Sequence, residues 1–192
     1  MILVLLAEGF EEIESLTPVD ILRRAGFDVR TAAVGKAPLG GRVVTGSHGI
    51  PVTADARVED FVSEGSALEV VILPGGMPGA KNLDGDPAVD AILKKAAGDE
   101  NCILAAICAA PMVLGRRGLL EGVRATCYPG FEKELRGATV LSARTDEGRT
   151  VCDGRFVTAC GMGAAAEFAL ALVKKLKGED AAEELRAAVL AK

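Results

Sequence analysis

The chain has 192 residues, 49% of them hydrophobic, and a formal charge of -5 from 27 acidic against 22 basic side chains. That size supports one well-cored domain over 1–192 and is short for two. The acidic balance offers no basic footprint for a nucleic-acid backbone or an anionic membrane.

The opening Met1-Ile2-Leu3-Val4-Leu5-Leu6-Ala7 is too short to span a bilayer, lacks a cationic leader and meets Glu8 at once. It predicts a buried strand over 2–7. Helical period follows over 10–25 and stops at Gly26, and a second strand is predicted over 28–34. Gly40-Gly41, with the alternation in Arg42-Val43-Val44-Thr45 and Pro51-Val52-Thr53, predicts a hairpin excursion. Strands over 67–73 and 102–107 flank a helix over 86–97 that stops at Gly98. A helix over 109–117, a strand over 155–160, a helix over 164–176 stopped by Gly178, and a last helix over 180–190 complete the chain. Strands alternating with helices predict an α/β fold, a doubly wound parallel sheet sandwiched by helices. Five cysteines, Cys102, Cys108, Cys127, Cys152 and Cys160, include no C-x-x-C pair and face a single histidine in the whole chain, so a zinc site and a disulfide framework both fail. No metal or cofactor is expected, and free thiols fit a reducing cytoplasm.

Three strand-to-helix turns carry the chemistry. The apolar strand Ile103-Leu104-Ala105-Ala106-Ile107 runs without a linker into Cys108-Ala109-Ala110-Pro111. Orphan amides and the helix dipole at such a junction favour negative charge, so the thiol is expected to tend toward thiolate. Taken alone, a cysteine in an apolar run is more often packing than chemistry. In Leu73-Pro74-Gly75-Gly76, two glycines after a strand present backbone N–H groups at the carboxyl edge of the sheet, where ligands bind in open α/β folds. The run lacks the Gly-Lys-Ser/Thr ending of a phosphate loop. The acidic run Glu11-Glu12-Ile13-Glu14 follows the first strand. Glu11 and Glu12 suit a first helical turn through the dipole alone. Glu14 lies deeper, where a desolvated carboxyl would be raised in pKa and could donate to a thiolate. Gly161-Met162-Gly163-Ala164 matches a dinucleotide fingerprint in part, but only helix follows it, so close packing of the helix start suits it better.

Together these residues resemble a known family. Glu11-Glu12-Ile13-Glu14, Thr17-Pro18-Val19-Asp20, Arg23-Arg24-Ala25-Gly26, Val71-Ile72-Leu73-Pro74-Gly75-Gly76, Ala105-Ala106-Ile107-Cys108-Ala109-Ala110-Pro111, and Gly161-Met162-Gly163 with Glu167-Phe168-Ala169-Leu170 are similar to the ThiJ/PfpI superfamily, in the branch of the Parkinson-disease protein deglycase. The resemblance implies a flavodoxin-like, class I glutamine amidotransferase-like fold and a homodimer. It implies Cys108 as the reactive thiol, Glu14 as its acidic partner, and the amides of Gly76 and Ala109 as oxyanion-type donors. It also implies oxidation of Cys108 to a sulfinate held by the glutamic acid, and places Arg24, His48 and Tyr128 where substrate is oriented.

One departure stands out. Where many relatives carry a histidine between threonine and proline, this chain has Thr126-Cys127-Tyr128-Pro129, and a phenol with a reference pKa of about 10 is a poor base at neutral pH. The lone histidine, His48, lies in Gly46-Ser47-His48-Gly49, where close relatives carry arginine near the partner subunit's site; a solvent-exposed hairpin residue is the plainer reading of it. The expected function is a cysteine-dependent glyoxalase or deglycase acting on methylglyoxal-like aldehydes or their early adducts. The alternative is a dimeric redox-sensing stress protein or holdase without significant turnover. Peptidase or amidotransferase action needs a histidine beside the nucleophile, and the sequence places none there.

Overall fold

Runs of six apolar residues stay extended when both faces of a strand are covered, and the computed structural model, which describes residues 1–35, 41–63 and 67–191, shows this directly. In β1 (Ile2–Ala7) every residue is buried. Leu3, Leu5 and Ala7 pack on one side of the sheet, Ile2, Val4 and Leu6 on the other. The same period of two divides β7 (Ile103–Ile107), with Leu104 and Ala106 on the first side and Ile103, Ala105 and Ile107 on the second. Each fully buried Leu, Ile or Val stabilises the fold by about 1.5–3 kcal/mol.

The remaining elements are α1 (Glu12–Arg24), β2 (Val29–Val34), β3 (Val43–Thr45), β4 (Pro51–Thr53), β5 (Ala56–Arg57), α2 (Val58–Ser63), β6 (Val70–Leu73), α3 (Gly79–Asp84), α4 (Pro87–Ala97), α5 (Pro111–Arg116), β8 (Arg124–Ala125), β9 (Thr139–Val140), β10 (Thr150–Asp153), β11 (Phe156–Ala159), α6 (Ala165–Lys177) and α7 (Glu179–Ala188). The main sheet has seven strands in the order β10-β11-β7-β6-β1-β2-β5. All its pairings are parallel except β10 with β11. Residues of α2, α3, α4 and α5 cover one face, and those of α1, α6 and α7 cover the other. The expected doubly wound sheet is therefore present, with a mixed edge.

The sequence reading misses β10 because Asp153-Gly154-Arg155 closes a tight antiparallel turn, with Gly154 at φ 51°, before the strand that was predicted. It also misses β5, α2 and α3, which are too short to show a period. The predicted hairpin is observed as β3 paired with β4; Gly40, part of the signal for it, lies outside the described residues. Among the described residues no helix is long and apolar enough to cross a membrane. Because β1, β6, β7 and β11 are mutually parallel, their carboxyl ends Ala7, Leu73, Ile107 and Ala159 lie along one edge, and the turns that leave them converge there.

Candidate active site

Cys108 is the residue after β7, and its backbone departs sharply from the strand: φ is 63°, the left-handed region that side chains avoid. Its N–H still bonds the Ala159 carbonyl of β11 at 2.9 Å, and its carbonyl accepts the Tyr128 N–H at 2.8 Å. These two bonds hold the elbow in its strained form. The helix that follows begins only at Pro111 and is six residues long. Ala109 and Ala110 form a turn, not the helix start expected from the sequence.

Glu14 enters from α1. Glu11 caps that helix, its Oε2 accepting the Glu14 N–H at 2.7 Å. The Glu11 N–H in turn bonds the Gly75 carbonyl at 2.9 Å, which pins the helix end to the turn after β6. Glu14 is 1% exposed. Its Oε2 accepts the Gly75 N–H at 3.1 Å, and it is hydrogen-bonded to the Met162 N–H and to the Cys108 thiol. The backbone amides of Gly76 and Ala109 meet the same sulfur. Glycine at 75 is a steric requirement, since a Cβ there would lie 2.4 Å from Glu14 Oε2 and 2.6 Å from Cys108 Cβ. Gly76 has φ 86°, and its Cβ would fall 2.4 Å from the Glu11 nitrogen.

The electrostatics differ from the sequence expectation in one respect. Burial first, then the charge of Glu14 and the hydrogen bond to it, push the Cys108 thiol up to about 12, against the lowering effect of the Gly76 and Ala109 amides. With Glu14 ionised, the sulfur therefore keeps its proton, and the expected thiolate is not the ground state. The short α5 contributes too little dipole to offset a desolvated neighbouring carboxylate. Burial also raises Glu14 to about 7, assisted by the charge of Glu11, although the thiol and the Gly75 and Met162 amides act in the opposite sense. The carboxyl is thus poised to exchange a proton near neutrality, as the sequence position suggested.

The other three expected residues fall into two groups. Tyr128 is brought to the site: its backbone bonds Cys108, and its ring packs so close to Gly161 that a Cβ there would lie 3.3 Å from Cδ2 and 3.8 Å from Glu14 Oε1. His48, on the β3–β4 hairpin, instead pairs with Glu12, Nδ1 lying 2.9 Å from Oε2 and the His48 N–H donating to Oε1 at 2.8 Å. Burial works against Glu12, yet these bonds hold it down at about 2, and the pairing raises the histidine. The ligand-type atoms of Glu11, Glu12 and His48 lie within 4.8 Å of one another, already engaged in those bonds and in the Glu11 cap. Arg24 closes α1 ten residues beyond Glu14, about 15 Å along the axis, and is ion-paired with Asp20. It is not brought to Cys108. The sequence reading overlooked the cap by Glu11 and the Met162 amide; the i, i+3 spacing of Glu11 and Glu14 was the available signal for the first.

A sequence model of the DJ-1/PfpI family matches residues 1–175. The chain is 37% identical over 191 residues to the Parkinson disease protein 7 homolog of Danio rerio, covering 99% of this chain and 96% of that one. It is 29% identical over 157 residues to a Pyrococcus abyssi protein named as a deglycase, covering 82% of this chain and 87% of that one. The solved structure of oxidized Toxoplasma gondii DJ-1 superposes with a TM-score of 0.86 at 35% identity, covering 98% and 97% of the two chains. With its elbow cysteine, buried glutamate and glycine turn set in a family match that spans most of its length, the chain belongs to the DJ-1/PfpI family.

Proposed function

We propose that this protein is a cysteine-dependent glyoxalase or deglycase acting on methylglyoxal-like aldehydes or their early adducts on thiols and amines. The observation that carries the reading is the contact between Cys108 and Glu14, with the Gly76 and Ala109 amides on the same sulfur. As the sulfur bonds to the aldehyde carbon, its proton passes to the Glu14 carboxylate, and the carbonyl electron pair moves to oxygen, where backbone donors stabilise it. Protonation of that oxygen gives a hemithioacetal. Transfer of the hydrogen on that carbon, as a proton through Glu14, to the neighbouring ketone carbon converts it into a thioester of lactic acid. Water then cleaves the carbon–sulfur bond and restores the thiol. The sum is methylglyoxal plus one water to lactate, which balances without an external oxidant or reductant.

Lactate formation under reducing conditions, measured beside Cys108→Ser, tests this. The variant is expected to lose activity; retained turnover would sink the reading. A dimeric redox sensor is the second reading, favoured by the buried Glu14 carboxyl beside an oxidisable sulfur and by a relative solved in an oxidized state. It predicts no lactate from the unmodified protein and a change in behaviour on oxidation of Cys108. The homodimer and the cytoplasmic location belong to this same proposal. Half-exposed Ile13 on α1 and Ile50 before β4 support the dimer as unpartnered apolar surface.

A further inference from the structure

Large apolar side chains are exposed at eight described positions, and three of them, Met77, Tyr128 and Met162, stand on turns whose backbone meets Cys108 or Glu14. Their exposures are 49%, 52% and 52%. Met77 follows Gly76, whose amide meets the Cys108 sulfur. Met162 uses its own amide on the Glu14 carboxyl. The Tyr128 ring lies against Gly161, and its backbone bonds Cys108. Single exposed apolar residues need no explanation, but three gathered on separate turns around one reactive pair do.

We infer that Met77, Tyr128 and Met162 form an apolar rim around Cys108 that selects α-oxoaldehydes bearing an aryl or similarly bulky apolar group over methylglyoxal. The inference rests on the proposed reaction and names its preferred substrate class. Methionine side chains are unbranched and polarisable, adapt to irregular shapes and contact aromatic edges favourably, while a tyrosine ring offers a stacking face. A methyl group is too small to meet more than one of these, so methylglyoxal gains little from the rim. A phenyl group next to the ketone leaves the reacting aldehyde carbon unchanged and buries its ring against them. The tyrosine contributes through its face, not its hydroxyl, which is why a phenol can stand where a base would otherwise be expected.

The test compares kcat/KM for phenylglyoxal and methylglyoxal in the unmodified protein, in Met77→Ser/Met162→Ser, and in Tyr128→Ser with Tyr128→Phe beside it. Phenylglyoxal is expected to be preferred, and the ratio to fall roughly tenfold or more in the serine variants while Tyr128→Phe keeps it. An unchanged ratio in active serine variants overturns the rim and leaves the proposed function standing. If neither aldehyde is turned over, the reaction fails, and the rim is judged by alkylation of Cys108 with iodoacetanilide against iodoacetamide. There a new carbon–sulfur bond forms, iodide leaves and the thiol proton is lost. A higher ratio of the two rates in the unmodified protein than in the serine variants supports the rim. Equal ratios overturn it.

Discussion

Glu14 and Cys108 share a hydrogen bond in which each acts on the other in an opposite sense. The charge of the carboxylate raises the thiol, whereas the thiol, as donor, lowers the carboxyl, and burial dominates both. As the pH rises the carboxyl, raised to about 7, gives up its proton first, and the sulfur, raised further, keeps the one that remains. In the proposed reaction the sulfur becomes nucleophilic as this proton passes to Glu14.

The first consequence is kinetic. kcat/KM for aldehyde conversion should rise with pH through about 7, as the doubly protonated pair loses its first proton. Glu14→Gln should lose roughly 10²-fold or more in turnover, the usual scale of general acid–base work. A flat pH profile, or near-wild-type activity of the variant, would remove Glu14 from proton transfer.

Replacing Glu14 by glutamine should also make Cys108 easier to ionise, since the carboxylate charge and the hydrogen bond to it both raise the thiol. Alkylation of Cys108 by iodoacetamide at pH 8, followed by peptide mapping, should accelerate by about tenfold or more, one pKa unit being a factor of ten in thiolate. An equal or slower rate in the variant contradicts the coupling.

Stability should respond with the opposite preference. Glu14 is raised in the folded protein to about 7 from an ordinary value of 4.5, so its contribution is fully present below 4.5 and is lost as the pH rises through 7. The loss is about 3 kcal/mol, from roughly 1.4 kcal/mol per pKa unit. Glu14→Gln carries no such penalty. Urea denaturation should show the variant more stable than wild type at pH 8, with the difference vanishing near pH 4.5.

Gly75→Ala places a Cβ 2.4 Å from Glu14 Oε2 and 2.6 Å from Cys108 Cβ. The Glu14 and Cys108 side chains must then separate. A destabilisation of about 1–3 kcal/mol, typical of overpacking, together with loss of lactate formation, is expected. A crystal structure of this variant with the Glu14–Cys108 contact intact and full activity would show that the close approach is not required.

Tyr128→Phe should cost tenfold at most, because one neutral hydrogen bond is worth about 0.5–1.5 kcal/mol. Abolished lactate formation with Cys108 still reactive would instead make the phenol a direct proton-transfer residue.

The strands β1, β2, β6, β7 and β11 were legible in the sequence because residues buried on both faces leave unbroken apolar runs bounded by turn residues. Cys108 and Gly75-Gly76 were legible because they follow such runs directly, and a parallel sheet must bring those turns to one edge. Glu14 stood out by its depth in the helix, and the cooperation of all three by resemblance to a family. Tertiary structure decided what depends on distances between segments remote in sequence. It gave Glu12 to His48 and Glu14 to Cys108, although the two glutamates stand two positions apart. It left Arg24 on Asp20, because a helix separates its two ends whatever its sequence. It also raised the Cys108 thiol, where the junction alone would lower it. A strand-to-helix junction alone favours a thiolate, but the proton's position depends on a buried carboxylate 94 residues earlier in the chain, whose charge and desolvation no local pattern records.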